Sequence, residues 1–320
     1  MIDFTVEQLA IWTYRDQKAH KVESSSLFEA ERVAAGLELH SVSQTAVVGR
    51  VCELGGFIDG GGLRSGALHP DAELLHEFRQ HGSQFPAYGS IVAAGANACV
   101  LHYRADIAPV RAGELVLIDA GCELDGYASD ITRTFPADGK FSGPQRELYQ
   151  LVLASQEAAV AATRPGARFT EPHEATVKVL TQGMLDLGLL DKNQHGTLDD
   201  AIANRHYFAH YMHRTSHWLG MDVHDCGSYV EPGELGTVSE RKDPLSGELI
   251  KDRPARILRP GMVLTIEPGL YVRPSDGVPR DFWNIGIRIE DDAVVTSGGC
   301  ELITRDVPVD PDAIEAIMAG

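Results

Sequence analysis

Three apolar runs in this chain end in an acid, and that placement restricts the fold more than any bulk property does. LVLID ends in Asp119, VLTIE in Glu267 and IGIRIE in Glu290, while a further strand-like stretch, reached through a glycine-containing turn, places Asp130 eleven residues after Asp119. A carboxylate that follows four or five apolar residues is costly to bury unless something pairs with it. Two ionised carboxylates at close range repel and lose hydration, so they require a cation or a shared proton. On adjacent hairpin strands Asp119 and Asp130 could face one another. Taken singly, each acid also has an ordinary use: a strand-end cap or turn for either aspartate, a cap at the Pro268-Gly269 turn for Glu267, and an ion pair with Arg288 for Glu290.

A second feature is YMHRTSHWLGMDVHD, which holds His213, His217 and His224 at intervals of four and seven residues, helix-like for the first pair. Neutral imidazoles suit a transition metal, and a histidine outside the ligand shell can donate a hydrogen bond or move a proton. A histidine in an apolar run can equally be a satisfied core residue. Two Asp, two Glu and one His together make a hard, oxygen-rich donor set that suits two divalent ions of the manganese class better than one structural zinc. Two ions about 3.5–4 Å apart lower the pKa of a bound water from ~15.7 toward ~7.

The surrounding pattern predicts an α+β fold. Apolar spacing suggests one or two helices over 5–58, an amphipathic helix over 72–80, a long helix over 144–164 entered at Pro144 and closed by Pro165-Gly166, and another over 172–187. Short strands and hairpins are expected over 90–138, 263–267 and 285–296, with a turn-rich loop containing a hairpin over 231–256. No βαβ rhythm appears, which argues against a doubly wound sheet.

Composition excludes several function classes. With 28 Lys+Arg against 46 Asp+Glu, the net charge of −18 repels phosphate backbones, so nucleic acid is not an expected partner. The five cysteines include no CxxC pair, and the N-terminus shows neither signal peptide nor membrane anchor, so a cytoplasmic setting is expected.

DAGCELDGYASDITRTFP, HRTSHWLGMDVHD, PGMVLTIEPGLY and GIRIEDD, in this order, resemble the aminopeptidase P and prolidase branch of the pita-bread metallopeptidases. The resemblance spans about residues 75–305 and includes PAYGSIVAAGANACVLHY, where His102 falls at the upstream catalytic-histidine position. It implies a pita-bread fold, a curved, mostly antiparallel sheet with helices on its outer face. It also implies a single catalytic domain over 71–320, preceded by a helical segment over 1–70 that is either a truncated remnant or the domain's own first helices. Asp119 and Asp130 would be ligands, with Asp130 bridging two metal ions, His217 and Glu267 completing one shell, and Glu290 forming the second bridge. Glu267 would also act as acid/base. His102, His213 and His224 would line the substrate side, with His224 stabilising the tetrahedral intermediate, and Arg288 would orient Asp119 or bind substrate. The resemblance implies two divalent ions, Mn2+ foremost with Co2+, Zn2+ or Fe2+ possible, a bridging hydroxide attacking the bond before a penultimate proline, and a homodimer.

Two departures from the family stand out. Relatives often carry a separate N-terminal domain that the residues before the matching region are too few to form, and Arg214 follows His213 where many relatives have glycine. That arginine either alters peptide binding or points to solvent. The loop over 231–256 is also longer. The implied activity is removal of one N-terminal residue from Xaa-Pro peptides. Its rivals are an Xaa-Pro dipeptidase, a hydrolase of non-peptide amides, and a non-catalytic binding module on the same fold.

Overall fold

The computed structural model describes residues 68–104 and 108–319; the helices expected over 5–58 lie outside the described residues. Helix α1 (Leu68–Gln80) leads into the short strand β1 (Phe85–Pro86) and then β2 (Ile91–Ala94), which ends in a 3-10 turn (Gly95–Cys99). Strands β3 (Leu115–Ala120), β4 (Cys122–Leu124), β5 (Tyr127–Ala128) and β6 (Ile131–Pro136) follow. Two long helices, α2 (Gly143–Ala162) and α3 (Glu171–Asp186), precede two short ones, α4 (Lys192–His195) and α5 (Leu198–Ala203). The exposed hairpin β7 (Ser239–Lys242) and β8 (Leu249–Asp252) comes next. Strands β9 (Val263–Ile266), β10 (Gly269–Val272), β11 (Ile285–Arg288), β12 (Asp291–Val295) and β13 (Cys300–Leu302) complete the β structure, and α6 (Pro311–Met318) closes the described chain.

Helix α2 begins one residue earlier than its proline suggests. Ser142 caps it and forms a reciprocal box with Gln145, satisfying amide groups that would otherwise lack partners. Pro144 adds a preset φ within the first turn. The short helices over 192–203 and α6 were not anticipated.

All described strand pairings are antiparallel, and those of β2, β3 and β6 meet those of β9 to β13 in one surface. β2 pairs with β3 and β3 with β6. An isolated bridge between Thr132 and Glu290 ties β6 to the segment joining β11 and β12. β10 pairs with β11 and β9 with β12 in one continuous register, Gly269 opposite Arg288 and Ile266 opposite Asp291, so that Glu267 falls opposite Glu290. Backbone hydrogen bonds from Glu267 to Thr215 and from Thr265 to His217 add a final extended segment.

Alternation then sorts the side chains. Val116, Ile118, Phe135, Leu270, Ile285, Ile287 and Ile289 face the back, where they share a core with Leu148, Tyr149 and Val152 of α2 and Val177, Leu180 and Met184 of α3. Asp119, Thr132, Arg288, Glu290 and Glu267 belong to the other face. β3 reads as a continuous apolar run up to its acid because both of its faces are covered.

The back face is not wholly apolar. Arg133, 1% exposed, donates to the carbonyl oxygens of Glu290 (2.6 Å) and Val307 (2.8 Å) and to Asp291 Oδ1 (2.8 Å). Asp291 also accepts from Thr304 Oγ1 (2.8 Å) and Gln156 Nε2 (3.0 Å) and pairs with Arg305 at 3.2 Å. Removing one partner of such a buried pair typically costs about 3–5 kcal/mol, because a desolvated charge is left behind. Arg133→Met should therefore lower the urea midpoint by an amount equivalent to roughly 3 kcal/mol or more. Arg146→Ala, which breaks solvent-screened pairs with Asp312 and Glu315, should lower the midpoint far less. Equal midpoints for the two variants would refute this reading of the back face.

Candidate metal centre

The front face concentrates acids because register aligns them. Asp119 pairs with Thr132, Thr132 bridges to Glu290, and Glu290 lies opposite Glu267, so these four form one row across the sheet. Asp130 enters the same face two residues before Thr132. Like charges directly opposite each other destabilise a sheet unless something intervenes. Here Asp119 is 9%, Asp130 5% and Glu290 1% exposed, so water cannot screen them.

The turn that brings Asp119 near Asp130 depends on Gly121. A Cβ there would lie 1.7 Å from the carbonyl oxygen of Ser129, so no other residue lets the two strands close. Across the sheet, a Cβ on Gly286 would meet the backbone of Ala98 at 2.4 Å. The 3-10 turn rests against that glycine, and the chain leaving it brings exposed His102 to the pocket wall.

His213 and His217 are not on a helix. They lie in the extended segment beside β9, which aligns His217 with Thr265 and corrects the helix-like reading of their spacing. His217 Nδ1 lies 3.0 Å from the carbonyl oxygen of Trp218, and its Nε2 points to Asp130 (3.4 Å) and Glu267 (3.7 Å). A backbone acceptor on one ring nitrogen fixes the tautomer and leaves the other free to serve as a donor atom. Asp130, His217 and Glu290 each present such an atom, all within 4.8 Å of one another. His224 packs edge-on against His217, ring centroids 4.3 Å apart, and lines the same pocket.

Arg288 pairs with Asp119 rather than with Glu290, which resolves one alternative left by the sequence. It also donates to Thr132 Oγ1 (3.1 Å) and Tyr271 Oη (2.9 Å), while Thr132 donates to Glu290 Oε2 (2.6 Å). Tyr271 Oη is 2.9 Å from His213 Nε2, whose Nδ1 lies 2.7 Å from the Arg214 carbonyl oxygen. A relay of oriented groups thus runs from Asp119 through Arg288 and Tyr271 to His213. Tyr88, Thr132 and Tyr271 were not singled out in the sequence. Tyr271 was legible in principle, lying four residues past Glu267 on the same strand face, whereas Tyr88 precedes its strand and carries no periodic signal. The Tyr88 hydroxyl reaches both Asp119 Oδ1 and Asp130 Oδ1, although it has only one proton to donate.

Four carboxylates surround one guanidinium, so the donor set carries excess negative charge that a divalent ion would balance. In its absence protons take that role. Burial, then the Asp119 charge, raises Asp130; burial, then the charges of Asp130 and Glu267, lifts Glu290 well above the carboxylate range. Burial raises Glu267 from 4.5 to about 7. Burial disfavours the His217 cation, but the Asp130 hydrogen bond and the charges of Glu267 and Asp130 outweigh it and push the ring up to about 9. His213 moves the other way, to about 3, through burial and then the Arg288 charge. Hard oxygen donors, one oriented imidazole and unbalanced buried charge together fit divalent cations.

A pH dependence follows. Glu267 in the native state keeps a proton that the unfolded chain releases near 4.5, so its contribution to stability is lost as pH rises through about 7. His217 acts in the same sense, stabilising below 6.5 and losing that contribution through about 9. The melting temperature of chelated protein should fall between about pH 5 and pH 8, and added Mn2+ should restore more of it at the higher pH, where binding no longer has to displace protons. Glu290→Gln should raise the melting temperature of chelated protein at pH 8 and abolish the gain from Mn2+. A flat profile, or an undiminished gain in the variant, would overturn the charge argument.

Residues 66–297 match metallopeptidase family M24. The chain is 45% identical over 252 residues to the Xaa-Pro aminopeptidase of Escherichia coli (strain K12), covering 79% of this chain and 52% of that protein. It is 43% identical over 248 residues to the Xaa-Pro aminopeptidase of Haemophilus influenzae, covering 78% and 52%. It therefore spans about half the length of the curated relatives it matches. Among solved structures, the Pseudomonas aeruginosa aminopeptidase PepP superposes with a TM-score of 0.78 at 45% identity, over 92% of this chain and 59% of that one. Matched over most of its length by the family and by these relatives, and with helices packed behind antiparallel strands, the chain belongs to metallopeptidase family M24 and has its pita-bread fold.

Proposed function

We propose that this protein is a dinuclear, divalent-metal aminopeptidase that removes the N-terminal residue from peptides with proline in second position. The observation that carries this reading is the front-face row of acids with Asp130 and His217 beside it, His217 Nε2 lying 3.4 Å from Asp130 and 3.7 Å from Glu267. Asp119, Asp130, His217, Glu267 and Glu290 would hold the metal pair. Mn2+ fits the oxygen-rich set, and Co2+, Zn2+ or Fe2+ would be accepted where available. When bound, the ions supply the Lewis acidity that makes water a nucleophile near neutral pH.

The chain's own groups do the rest. Glu267, which faces both His217 and His213, takes the proton of the attacking water and returns it to the leaving nitrogen. Arg288 holds Asp119 in place and, through Tyr271, orients the His213 ring. His213 stays neutral, so it can offer a hydrogen bond to the peptide without adding charge. His224 and His102, exposed on the pocket wall, are placed to reach the substrate carbonyls, with His224, beside His217, stabilising the tetrahedral oxyanion. A proline nitrogen has no hydrogen to donate, so recognition of the ring rests on shape and on carbonyl contacts. Relatives named Xaa-Pro aminopeptidase support this specificity.

A homodimer in the cytoplasm completes the proposal. No described helix is long and apolar enough to cross a membrane.

Chelated protein reloaded with Mn2+ should cleave Xaa-Pro-Xaa peptides and leave Xaa-Ala-Xaa controls nearly untouched. Asp130→Asn should lose both metal and activity, whereas His224→Ala should keep its metal and lose about 100-fold or more in kcat. Cleavage confined to Xaa-Pro dipeptides would make the protein a dipeptidase instead. Two bound metals with no proline peptide cleaved would move the substrate to another amide class.

A further inference from the structure

Part of the pocket lining is not used by the metal chemistry. Besides the acids and the other histidines, the pocket is lined by Phe169, Thr170, His173, Tyr229 and Ala255, with Arg214 among them. This part contains no carboxylate, and Arg214 is its sole formal charge. The chain has 46 acids for 28 Lys+Arg, and most described arginines find an acid partner: Arg168 pairs with Glu234, Arg205 with Asp243 and Arg259 with Glu231. Arg214 has none among the described residues. Its side chain is exposed at the pocket, and its charge is felt inside: burial first, then Arg214 and Arg205, lowers the nearby His173 to about 4.

Resting on the aminopeptidase reading, we propose that Arg214 is a specificity-determining residue that binds a carboxylate on the part of the substrate beyond the proline. The chemistry is specific. A guanidinium offers five donors in a planar fork that matches a carboxylate with two parallel hydrogen bonds. Its place is beside His213, which sits one residue earlier and has its Nδ1 3.8 Å from Glu267 Oε2. Arg214 lines the same pocket as His213 and Glu267, so a carboxylate on the part of a substrate held beside His213 would lie within its reach. His173 is held neutral and is anchored through Nδ1 to Thr215 Oγ1 at 2.9 Å, so it adds no competing charge. Two sources present the same group at that position: the C-terminus of a short peptide, or an acidic side chain in the third residue.

Four peptides separate these sources: Ala-Pro-Ala with a free or amidated C-terminus, and Ala-Pro-Glu-amide against Ala-Pro-Gln-amide. Each would be assayed for kcat and KM, and for binding by calorimetry, with Mn2+-loaded wild type, Arg214→Gln and Arg214→Lys. Wild type should favour at least one carboxylate-bearing peptide over its neutral partner by roughly five- to twenty-fold, mostly through KM and less so at high salt. Arg214→Gln should erase that preference while leaving the amidated Ala-Pro-Ala unaffected, and Arg214→Lys should keep part of it. Preference for the free C-terminus would identify a reader of short peptides, and preference for glutamate a reader of sequence; either supports the proposal. No preference in wild type, or one that survives Arg214→Gln, would overturn it. Discriminating binding without turnover of any peptide would instead sink the aminopeptidase reading and leave the carboxylate site standing.

Discussion

Mutual repulsion among buried carboxylates is the constraint that organises this molecule. Register puts Asp119, Glu290 and Glu267 in one row, with Asp130 beside it, and burial removes the water that would screen them. Hydrophobic packing behind the sheet has to hold these groups together against their own charge. Helices α2 and α3 supply that packing through a core that includes Leu148, Val152, Leu180 and the back-facing residues of four strands. Burial and mutual charge raise the carboxyls of Asp130, Glu267 and Glu290, so protons and cations compete for the same groups.

The two faces of the sheet solve the same problem differently. On the front, excess negative charge is left open to a pocket, where it can be neutralised from outside. On the back, the charge is paired internally: Arg133 and Arg305 meet Asp291, and Gln156 and Thr304 satisfy the remaining acceptors. Arg133 also grips the backbone carbonyl of Glu290. The internal network therefore fixes, from behind, the strand that carries a front-face acid. An uncharged core residue at 133 could not hold that carbonyl.

How much of this was legible in the sequence depends on whether a residue's type betrays its neighbours. An acid that ends an apolar run is conspicuous, so Asp119, Glu267 and Glu290 could be read directly, and strands 263–267 and 285–296 with them. Their alignment could not be read, because register is a property of pairs of strands. Thr132 escaped because threonine is an ordinary strand residue, Tyr88 because it lies before its strand, and Tyr271, although its spacing from Glu267 places it on the same face, because a strand tyrosine does not announce its partner. The four-residue interval between His213 and His217 misled because an extended chain also returns to the same side after four residues. The short helices over 192–203 were missed because four to six residues carry too little periodicity to detect.

The continuous register across Pro268 has a consequence for how such a sequence can change. Glu267 and Gly269 flank the proline on one strand, and Arg288 and Glu290 flank Ile289 on the other, with the pairing sum unchanged on either side. Gaining or losing one residue in either segment would turn an acid toward the helices and an isoleucine toward the pocket. Length variation near these strands must therefore arrive in steps of two, or be displaced to places such as the exposed arm of β7 and β8, where side-chain parity has no core to answer to. The spacing of these motifs is in that sense a geometric invariant, stricter than the identity of many of the residues between them.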